Sequence, residues 1–307
     1  MKAFITGACG FVGKHLIDYI SQNKNWEIIG VKLPTETAYS NIKLYDADIT
    51  DFSKIEQIIR TESPDYIFHL AAQSSVALSW KEPVSTINAN INGTINILES
   101  ARLNNLKSRI LLVSSAEEYG KQTTQPIQES ISPAPSNIYA LTKMCVTTLG
   151  KIYSDCYGMD IITARPFNHI GQGQSPIFAI SDFCRQTALI EKGQQKNIIK
   201  TGNLSAKRDF SDVRDIVRAY LTLIEKGEKN EVYNIGSGNA TSIEEVLNII
   251  LSKSKTEIKR EVDPERMRPS DIPEITADTT KIQPLWQPKI KLEQSIEDIL
   301  EFWRNQI

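Results

Sequence analysis

Residues 2–13 read Lys2-Ala3-Phe4-Ile5-Thr6-Gly7-Ala8-Cys9-Gly10-Phe11-Val12-Gly13, a short apolar strand followed by a glycine-rich turn and the start of a helix. Glycine permits positive φ and close approach of the backbone, and a helix N-terminus offers unpaired N–H groups to phosphate. The stretch therefore predicts a dinucleotide-binding turn, although its spacing, Gly-x-x-Gly-x-x-Gly, differs from the commoner Gly-x-Gly-x-x-Gly. The alternative is that the three glycines serve only tight packing. The residues predicted to hold the pyrophosphate are Gly7, Cys9, Gly10, Phe11, Val12 and Gly13.

Downstream of this turn, short apolar stretches alternate with segments of helical periodicity as far as residue 164. Strands are predicted at 26–31, 65–70, 109–114 and 160–164, and helices at 13–22, 52–61, 87–104 and 136–156. Strands that alternate with helices form βαβ units around a parallel sheet. The predicted fold class is therefore α/β, with a Rossmann-type doubly wound parallel sheet.

Beyond Gly171 the pattern changes to helices, loops and proline-rich connections, with one return to a strand at 231–235. This change predicts a smaller α/β domain in the C-terminal part of the chain. The predicted division assigns residues 1–167 plus 211–236 to the Rossmann domain and residues 168–210 plus 237–307 to the C-terminal domain.

The composition is that of an ordinary globular protein, with 307 residues, 35 Lys and Arg, 37 Asp and Glu, and a formal net charge of −2. Nucleic acid is not an expected partner, because affinity for a phosphate backbone needs a basic face. The chain has no apolar run of bilayer length and no signal-peptide core, and its four cysteines form no Cys-x-x-Cys pair. We therefore expect no membrane partner, reduced thiols and a cytoplasmic location. The three histidines lack the spacing of metal ligands, so no metal site is expected.

The end of the second strand bears on the choice between NAD and NADP. An acidic side chain there would accept a hydrogen bond from the ribose 2′-hydroxyl and repel a 2′-phosphate. The chain instead reads Gly30-Val31-Lys32-Leu33-Pro34, so Lys32 favours NADP(H) over NAD(H); the alternative is a solvated lysine. Asp48 and Ile49, after the third strand, are predicted to contact the adenine, although Asp48 could equally cap the next helix.

A tyrosine and a lysine four residues apart are the candidate proton-transfer pair. Tyr139-Ala140-Leu141-Thr142-Lys143 places a phenol and an ammonium on one helical face. A nearby cation favours the phenolate, which predicts a lowered pKa for Tyr139. Ser115 follows the apolar strand 109–114, where its hydroxyl can hydrogen-bond both a substrate oxygen and the phenol. The alternatives are a solvated helical face and a simple turn.

Taken together, several blocks of the chain resemble the extended short-chain dehydrogenase/reductase family along essentially its whole length. They are the glycine turn, His69-Leu70-Ala71-Ala72, Asn90-x-x-Gly93-Thr94, Ser115 to Tyr119, Tyr139-x-x-x-Lys143 and Arg165-Pro166-Phe167-Asn168. The resemblance implies a Rossmann domain that binds NADP(H) or NAD(H) and a C-terminal domain that binds a nucleotide-diphosphate sugar. It also implies that Tyr139 is the acid/base, that Lys143 lowers its pKa and holds the nicotinamide ribose, and that Ser115 orients the sugar hydroxyl or ketone. Further implied cofactor contacts are Leu70, Ala71, Ala72 and Pro166.

Three later blocks resemble the branch of GDP-mannose 4,6-dehydratases and GDP-4-keto-6-deoxy-mannose reductases. They are Arg165 to Gln174, Gly202 to Phe210, and Arg268 to Pro273. The expected partner is therefore a GDP-linked sugar. Asn168, Arg208 and Arg268 carry amide and guanidinium donors suited to a diphosphate, and the alternative is that these arginines are surface charges.

Two reactions are open within this branch. A dehydratase needs a base near the serine, and Glu117 stands where dehydratases carry that glutamate, but similar reductases keep it too. Ala116 departs from the aspartate of dTDP-glucose dehydratases, and only about a dozen residues separate Val31 from Leu44, a compact loop that resembles the reductases. We therefore expect NADPH-dependent reduction of a C4 ketone, with Ser115, Glu117, Tyr139 and Lys143 at the site. A non-catalytic nucleotide-sensing protein is the alternative of a different class.

The predicted helices at 91–106 and 139–157 carry more apolar side chains than one sheet face needs. The outward-facing set named from the sequence is Met144, Leu149, Ile152 and Tyr153. The family resemblance implies a homodimer joined through a four-helix bundle.

Overall fold

The computed structural model describes residues 1–40, 42–266 and 272–307, so Arg268 lies outside the described residues. The strands are β1 (Lys2–Thr6), β2 (Glu27–Lys32), β3 (Lys43–Asp46), β4 (Tyr66–His69), β5 (Arg109–Val113), β6 (Asp160–Pro166), β7 (Asn168–Ile170), β8 (Ile198–Thr201), β9 (Lys207–Asp212), β10 (Val232–Ile235), β11 (Ala240–Ser242), β12 (Lys259–Val262) and β13 (Glu274–Ile275). The α-helices are α1 (Phe11–Asn23), α2 (Phe52–Glu62), α3 (Val76–Lys81), α4 (Pro83–Ile87), α5 (Gly93–Leu103), α6 (Ile138–Tyr157), α7 (Ala179–Glu191), α8 (Val213–Lys226), α9 (Ile243–Ser252) and α10 (Leu292–Gln306).

The main sheet has seven parallel strands in the order β10-β6-β5-β4-β1-β2-β3. The chain winds outward from β1 to β3 and then returns to the other side of β1 at β4. A crevice opens at the carboxyl ends of the strands where the order reverses, and ligands of doubly wound proteins bind there. The predicted Rossmann-type sheet is confirmed.

The strands are continuously apolar because helices cover both faces of the sheet. On one face α1 and α8 bury side chains such as Leu16 and Val217, and on the other α2, α5 and α6 bury side chains such as Ile55, Leu98 and Val146. A hydrophobic core on each face therefore stabilises the sheet, and the sheet in turn positions the loops at its carboxyl edge.

The helix predicted at 87–104 is divided in the structure. It consists of α4, a π-helical turn at Asn88–Asn92 and then α5. The turn carries Asn90, whose buried amide accepts from the Gln73 N–H at 2.8 Å and donates to the Gln73 carbonyl and the Thr142 hydroxyl. This inward amide ties the loop after β4 to α6 and explains the local change of helical pitch.

The C-terminal part contains more strands than the single one predicted from the sequence. In addition to β10, it contains a small sheet of β7, β9, β11 and β13 and the separate pair β8 and β12. These strands are short and polar, so they lack an apolar pattern. Their polar groups are paired instead: the buried Asp209 carboxylate accepts from the backbone N–H groups of Ser237, Gly238 and Ala277. A third core lies between α7, α9 and α10.

The predicted domain division stays a prediction, but two features of the fold bear on it. Its boundary after residue 210 falls inside β9, which continues to Asp212. Ile282 and Trp286 pack in the core beside α8, and the Trp286 indole N–H donates to the Asp215 carbonyl at 3.0 Å. Within residues 1–40, 42–266 and 272–307, no helix combines the length and the apolar character needed to cross a bilayer.

Candidate active site

The turn between β1 and α1 has the geometry of a phosphate cradle. Gly7 adopts φ of +67°, and a Cβ atom at Gly13 would lie 2.2 Å from the Gly7 carbonyl oxygen. Helix α1 begins at Phe11, and its N-cap residue, Gly10, has no side chain to form a capping hydrogen bond. The first turn of the helix also contains no acidic residue. The first N–H groups of α1 are therefore uncapped by side chains and suit a pyrophosphate, so this turn fits a dinucleotide.

We expect Gly13→Ala to weaken dinucleotide binding by at least tenfold and to lower stability by about 1–3 kcal/mol, because its methyl group would collide with rigid backbone. The collision partners are the carbonyl oxygens of Gly7 and Ala8, at 2.2 and 2.7 Å from the added Cβ. Fluorescence titration with NADPH and urea unfolding would measure the two effects. Gly10→Ala, whose Cβ would lie 3.2 Å from the Gly7 oxygen, is expected to do less harm. Equal effects of the two variants would contradict the steric argument.

The carboxyl end of β4 is tied to the same turn. The Thr6 hydroxyl oxygen accepts from the N–H groups of Leu70 and Ala71, both at 3.1 Å. The buried His69 ring bridges the hydroxyls of Thr6 and Thr94 at 2.9 and 3.0 Å. Leu70 and Ala71 therefore border the phosphate turn, and the contact of Leu70, Ala71 and Ala72 with a cofactor stays a prediction.

Burial, together with the nearby Lys143 ammonium, lowers the pKa of His69 to about 3. The folded state therefore keeps this ring neutral, whereas the unfolded chain takes up a proton below its ordinary pKa of about 6.5, so stability falls as pH drops through that value. We expect the wild type to lose about 1.4 kcal/mol more than His69→Gln between about pH 7.5 and about pH 5.5. Urea unfolding at the two pH values measures this difference. Parallel pH dependence in both proteins would contradict a neutral buried ring.

The predicted adenosine contacts lie at the ends of β2 and β3. Lys32 ends β2, and its ammonium forms an ion pair with Asp46. Asp48 is exposed and accepts from the Thr50 N–H and hydroxyl, both at 2.8 Å. The N-cap of α2 is Asp51, so the alternative in which Asp48 caps that helix is wrong. Ile49 is largely buried against Gly93.

The structure brings Ser115, Tyr139 and Lys143 together, and all three are almost completely buried. Ser115 follows β5, and its hydroxyl is close enough to the Tyr139 phenol to affect the pKa of that phenol. The Ser115 oxygen also accepts from the Glu117 N–H at 3.2 Å. Tyr139 lies in the first turn of α6, which is capped by the Asn137 side chain. One turn further on, the Lys143 ammonium donates to the Val113 carbonyl at 2.8 Å and lies 5.9 Å from the centre of the tyrosine ring.

The expected lowering of the tyrosine pKa is wrong for this structure. Burial raises the pKa of Tyr139 above its ordinary value, the carboxylates of Glu117 and Glu118 raise it further, and only the Ser115 hydroxyl opposes these shifts. Burial also lowers the pKa of Lys143 to about 8. A single ammonium therefore does not offset the desolvation of the phenolate, and Tyr139 holds its proton at neutral pH. This protonation state suits a group that donates a proton.

Glu117 is half-buried beside this group. The Asn137 amide donates to its carboxylate at 3.4 Å, and Glu117 is close enough to Tyr139 to affect its pKa. The carboxylate is therefore placed near the phenol, which both candidate reactions of the branch allow.

A buried ion pair beneath the site was missed by the sequence interpretation. Glu118 is 0% exposed and pairs with Arg165, which is 3% exposed. The carboxylate also accepts from the hydroxyls of Ser114, at 2.5 Å, and Thr147, at 2.8 Å. Burial raises the pKa of Glu118, and the Arg165 charge opposes this shift. The available signal was an arginine inside the apolar stretch 160–166, since a charge in a buried strand needs a partner.

Two of the predicted diphosphate contacts, Asn168 and Arg208, belong to the small sheet. Pro166 ends β6, and Asn168 then begins β7 as an exposed residue, opposite Phe210 of β9. Arg208, also on β9, is buried, and its guanidinium donates to the carbonyls of Lys207 and Ile272 at 2.8 and 2.7 Å. Asn168 and Arg208 therefore share one small sheet that continues from the carboxyl end of β6, and their contact with a diphosphate stays a prediction.

The histidines link the two parts of the site. The His169 ring stacks on Phe11 of the phosphate turn, with ring centres 6.2 Å apart and planes 7° apart. The His15 Nε2 atom forms a hydrogen bond with the Gln172 carbonyl at 2.9 Å. Helix α1 thus contacts the loop that follows β7. Across the described ranges, with residues 41 and 267–271 left aside, no group of three His, Cys, Asp or Glu side chains is arranged to hold a metal ion.

Comparison with known proteins places these features in a family. The family model described as GDP-mannose 4,6 dehydratase matches residues 4–299. The chain is 32% identical to GDP-6-deoxy-D-mannose reductase from Pseudomonas aeruginosa over 100% of this chain and 98% of that one. It is 30% identical to GDP-6-deoxy-D-talose 4-dehydrogenase from Aggregatibacter actinomycetemcomitans, over 92% of this chain and 90% of that one.

A solved structure gives the same result. The structure of RMD from Pseudomonas aeruginosa complexed with NADPH superposes with a TM-score of 0.89 at 31% identity and covers 100% of both chains. The fold of this chain is thus shared with that structure along the whole chain. The chain accordingly belongs to the GDP-mannose 4,6-dehydratase family of the extended short-chain dehydrogenase/reductases, which are enzymes of nucleotide-sugar chemistry.

Proposed function

We propose that the protein reduces the C4 ketone of a GDP-4-keto-6-deoxy sugar with NADPH. The observation that carries this proposal is the buried Tyr139 phenol, whose pKa is influenced by the nearby Ser115 hydroxyl and which lies one helical turn from the Lys143 ammonium. Its burial keeps it protonated, which is the state that reduction of a ketone requires of a proton donor. The similarity to a GDP-6-deoxy-D-mannose reductase along the whole chain supports the substrate class.

In the proposed mechanism, the hydride that adds to C4 comes from the bound nicotinamide cofactor. Ser115 donates a hydrogen bond to the C4 oxygen, and Tyr139 transfers its proton to the same oxygen as negative charge develops on it. The ketone thereby gains one hydride and one proton and becomes an alcohol. The phenolate left on Tyr139 is stabilised by Ser115 and by the neighbouring Lys143 ammonium. Donors that are already in place at this oxygen need little reorganisation during the reaction.

The cofactor proposal rests on this chain's own residues. The uncapped start of α1, with Gly7, Gly10 and Gly13, would hold the pyrophosphate, and Lys143 would hold the nicotinamide ribose. Lys32 lies at the end of β2, where its ammonium favours a 2′-phosphate. The NADPH complex of the P. aeruginosa protein supports this preference.

The test is direct. Purified protein is mixed with NADPH and GDP-4-keto-6-deoxy-mannose, NADPH absorbance is followed, and the product is identified by NMR. We expect one NADPH to be consumed for each ketone reduced. Absence of NADPH oxidation with every GDP-linked 4-ketosugar supplied would reject the proposal.

One observation favours a second candidate, a GDP-mannose 4,6-dehydratase. Glu117 lies close to Tyr139, where a base could remove the C5 proton of a 4-ketosugar intermediate. A dehydratase would convert GDP-mannose to a ketosugar without net consumption of cofactor. Incubation with GDP-mannose and catalytic NADP, repeated with Glu117→Gln, separates the two: ketosugar formed by the wild type and not by the variant would identify the dehydratase.

We further propose that the protein is a homodimer joined through the helices on one side of the sheet. Exposed apolar side chains are concentrated on α3 to α6, namely Trp80, Val84, Ile87, Leu103, Leu141, Ile152 and Tyr157. The outward set named from the sequence is partly wrong, because Leu149 and Tyr153 pack into the chain's own core and only Ile152 of the four is exposed. An apolar surface of this kind is typical of an interface.

We expect light scattering at micromolar concentration to give twice the chain mass, and Ile152→Glu to give the mass of one chain, because a charge would be buried at the interface. Ile177→Glu is the matched control, since Ile177 is also exposed and apolar but lies outside α3 to α6. A monomeric wild type would reject the dimer.

We also propose a cytoplasmic location. All four cysteines are free thiols, and Cys156 is exposed, which suits a reducing compartment. Cell fractionation with an antibody against the protein would test this location, and recovery outside the cytosolic fraction would reject it.

A further inference from the structure

A buried carboxylate lies against helix α6 at the level of Lys143. It belongs to Glu118, in the short turn that follows Ser115, and it accepts from the Thr147 hydroxyl at 2.8 Å. Thr147 lies one helical turn beyond Lys143. The Ser114 hydroxyl lies within hydrogen-bond distance of both the Glu118 carboxylate, at 2.5 Å, and the Lys143 carbonyl oxygen, at 2.9 Å. Glu118 is therefore fixed against the turn of α6 that carries Lys143.

The surroundings of this carboxylate favour its charged form. It is ion-paired with Arg165 of β6, and both side chains are buried. The Arg165 guanidinium also donates to the Tyr119 hydroxyl, which donates to the Asn234 carbonyl oxygen at 2.8 Å. Burial raises the pKa of Glu118, and the Arg165 charge and the two hydroxyl donors oppose that shift. A charged partner and hydrogen-bond donors therefore offset much of the desolvation of the carboxylate.

The negative charge acts on both proton-carrying groups of the site. Burial lowers the pKa of Lys143 to about 8, and the Glu118 charge opposes this lowering. The same carboxylate raises the pKa of Tyr139. Glu118 therefore favours the ammonium over the amine and the phenol over the phenolate. These are the protonation states with which the proposed reduction begins.

Among the described residues, the other titratable groups around the tyrosine and the lysine supply no equivalent negative charge. The His69 ring of β4 is neutral, and Arg165 of β6 carries a positive charge. Tyr220 of α8 keeps its proton, because burial raises its pKa. Glu117 is only half-buried, so water screens its charge more strongly than that of a fully buried carboxylate.

The remaining charged side chains on the elements that pack against α6 are exposed or lie at a distance from Lys143. They are Lys81 and Glu82 near the junction of α3 and α4, Glu99 and Arg102 of α5, Arg109 of β5 and Asp160 of β6. Lys81 and Glu82 are exposed. Glu99 pairs with Arg102 and accepts from the Tyr153 hydroxyl, which belongs to a residue about 15 Å beyond Lys143 along α6. Arg109 pairs with Asp160 at the amino ends of their strands.

We propose that Glu118 is a positioning residue of the active site. Its buried carboxylate, paired with Arg165, holds the Lys143 side chain as an ammonium beside Tyr139 and so keeps the pair in the state that donates a proton. Because Glu118 is 0% exposed, it acts through these two residues and not by touching substrate or cofactor. The proposal rests on the proposed function for the direction of proton transfer and for the contact of Lys143 with the nicotinamide ribose.

The test compares the full-length wild type with Glu118→Gln, which keeps the shape of the side chain and removes its charge. NADPH binding is titrated by fluorescence from about pH 7 to about pH 10, and kcat for ketosugar reduction is measured over the same range. For the wild type, we expect both binding and kcat to fall above about pH 8, as Lys143 loses its proton. In Glu118→Gln, both falls should move to lower pH by about one unit, because an opposite charge has been removed.

Glu129→Gln is the matched control. Glu129 is a half-buried carboxylate that accepts from the Asn234 N–H at 2.8 Å, so it joins the same hydrogen-bonded network at the other end. It should leave both pH profiles unchanged. A purely structural role of Glu118 would lower stability without moving either fall. A fall that stays at the wild-type pH in Glu118→Gln, or an equal displacement in Glu129→Gln, would overturn the proposal, as would a wild type with flat profiles.

A second variant guards against loss of folding, since Glu118→Gln leaves Arg165 buried without its partner. Glu118→Leu combined with Arg165→Met leaves neither charge unpaired, and we expect the same displacement to lower pH. An unmoved fall in this double variant would reject the role of Glu118. Displaced NADPH binding in a protein that reduces no ketosugar would reject the proposed substrate and leave this inference standing. Ketosugar reduction with unmoved profiles would do the reverse.

Discussion

Tyr139→Phe is expected to lower kcat for ketosugar reduction by about 10²–10⁴-fold, the range typical for loss of a positioned general acid. The variant keeps the ring and its packing and removes only the hydroxyl that lies near Ser115. Because Tyr139 is buried, water has little access to the position from which the phenol donates its proton. NADPH oxidation under saturating ketosugar measures the loss, and fluorescence titration should show NADPH binding within a few-fold of the wild type.

Tyr157→Phe is the matched control, because Tyr157 lies at the exposed end of the same helix. Its kcat should equal that of the wild type. Full activity of Tyr139→Phe would contradict the role of Tyr139 as the proton donor. Glu117 would then be the next candidate for that role.

Arg165→Met is expected to lower the free energy of unfolding by about 3–5 kcal/mol, the cost of leaving a buried charge without its partner. The unpaired group would be Glu118, which is 0% exposed and would keep the hydroxyls of Ser114 and Thr147 and the more distant Lys143 ammonium, but no directly paired cation. The Tyr119 hydroxyl, which accepts from Arg165 and donates to Asn234 at 2.8 Å, would also lose a partner. Urea unfolding followed by intrinsic fluorescence measures the effect.

Two further variants make this prediction specific. Arg165→Met combined with Glu118→Leu should recover much of the lost stability, because the uncompensated charge is removed with its partner. Arg60→Met breaks an exposed ion pair with Glu56 and should change stability by less than about 1 kcal/mol. An Arg165→Met loss as small as that of Arg60→Met would contradict a large penalty for the buried pair.

The glycine turn and the parallel sheet were predictable because local sequence decides them. Gly7 needs positive φ and Gly13 has no room for a side chain, so both requirements appear directly as glycine in the sequence. Continuous apolar stretches predict strands buried on both faces. The strands of the C-terminal part were not predictable in this way, since β9 reads Lys-Arg-Asp-Phe-Ser-Asp and its polar groups find partners only in the folded chain.

Some features of the candidate site could likewise be predicted from the sequence, and others could not. The spacing of Tyr139 and Lys143 on one helical face follows from the sequence, and so does the placement of Ser115 after an apolar strand. The approach of Ser115 to Tyr139 and the direction of the Tyr139 pKa shift do not follow from the sequence. That direction depends on how completely α6 and β5 exclude water from the phenol, and water exclusion is a property of packing.

The α/β class, the phosphate turn and the residue types at the site follow from local sequence, because each depends on contacts or conformations within a few residues. The folded chain was needed to show that Tyr139 stays protonated, that Glu118 pairs with Arg165, and that Lys32 pairs with Asp46. These outcomes depend on burial and on pairs of charges that are 14 residues apart (32 and 46) and 47 residues apart (118 and 165) in the sequence. Charged groups are desolvated and paired with distant residues only when the chain has folded, so no local sequence pattern predicts these effects.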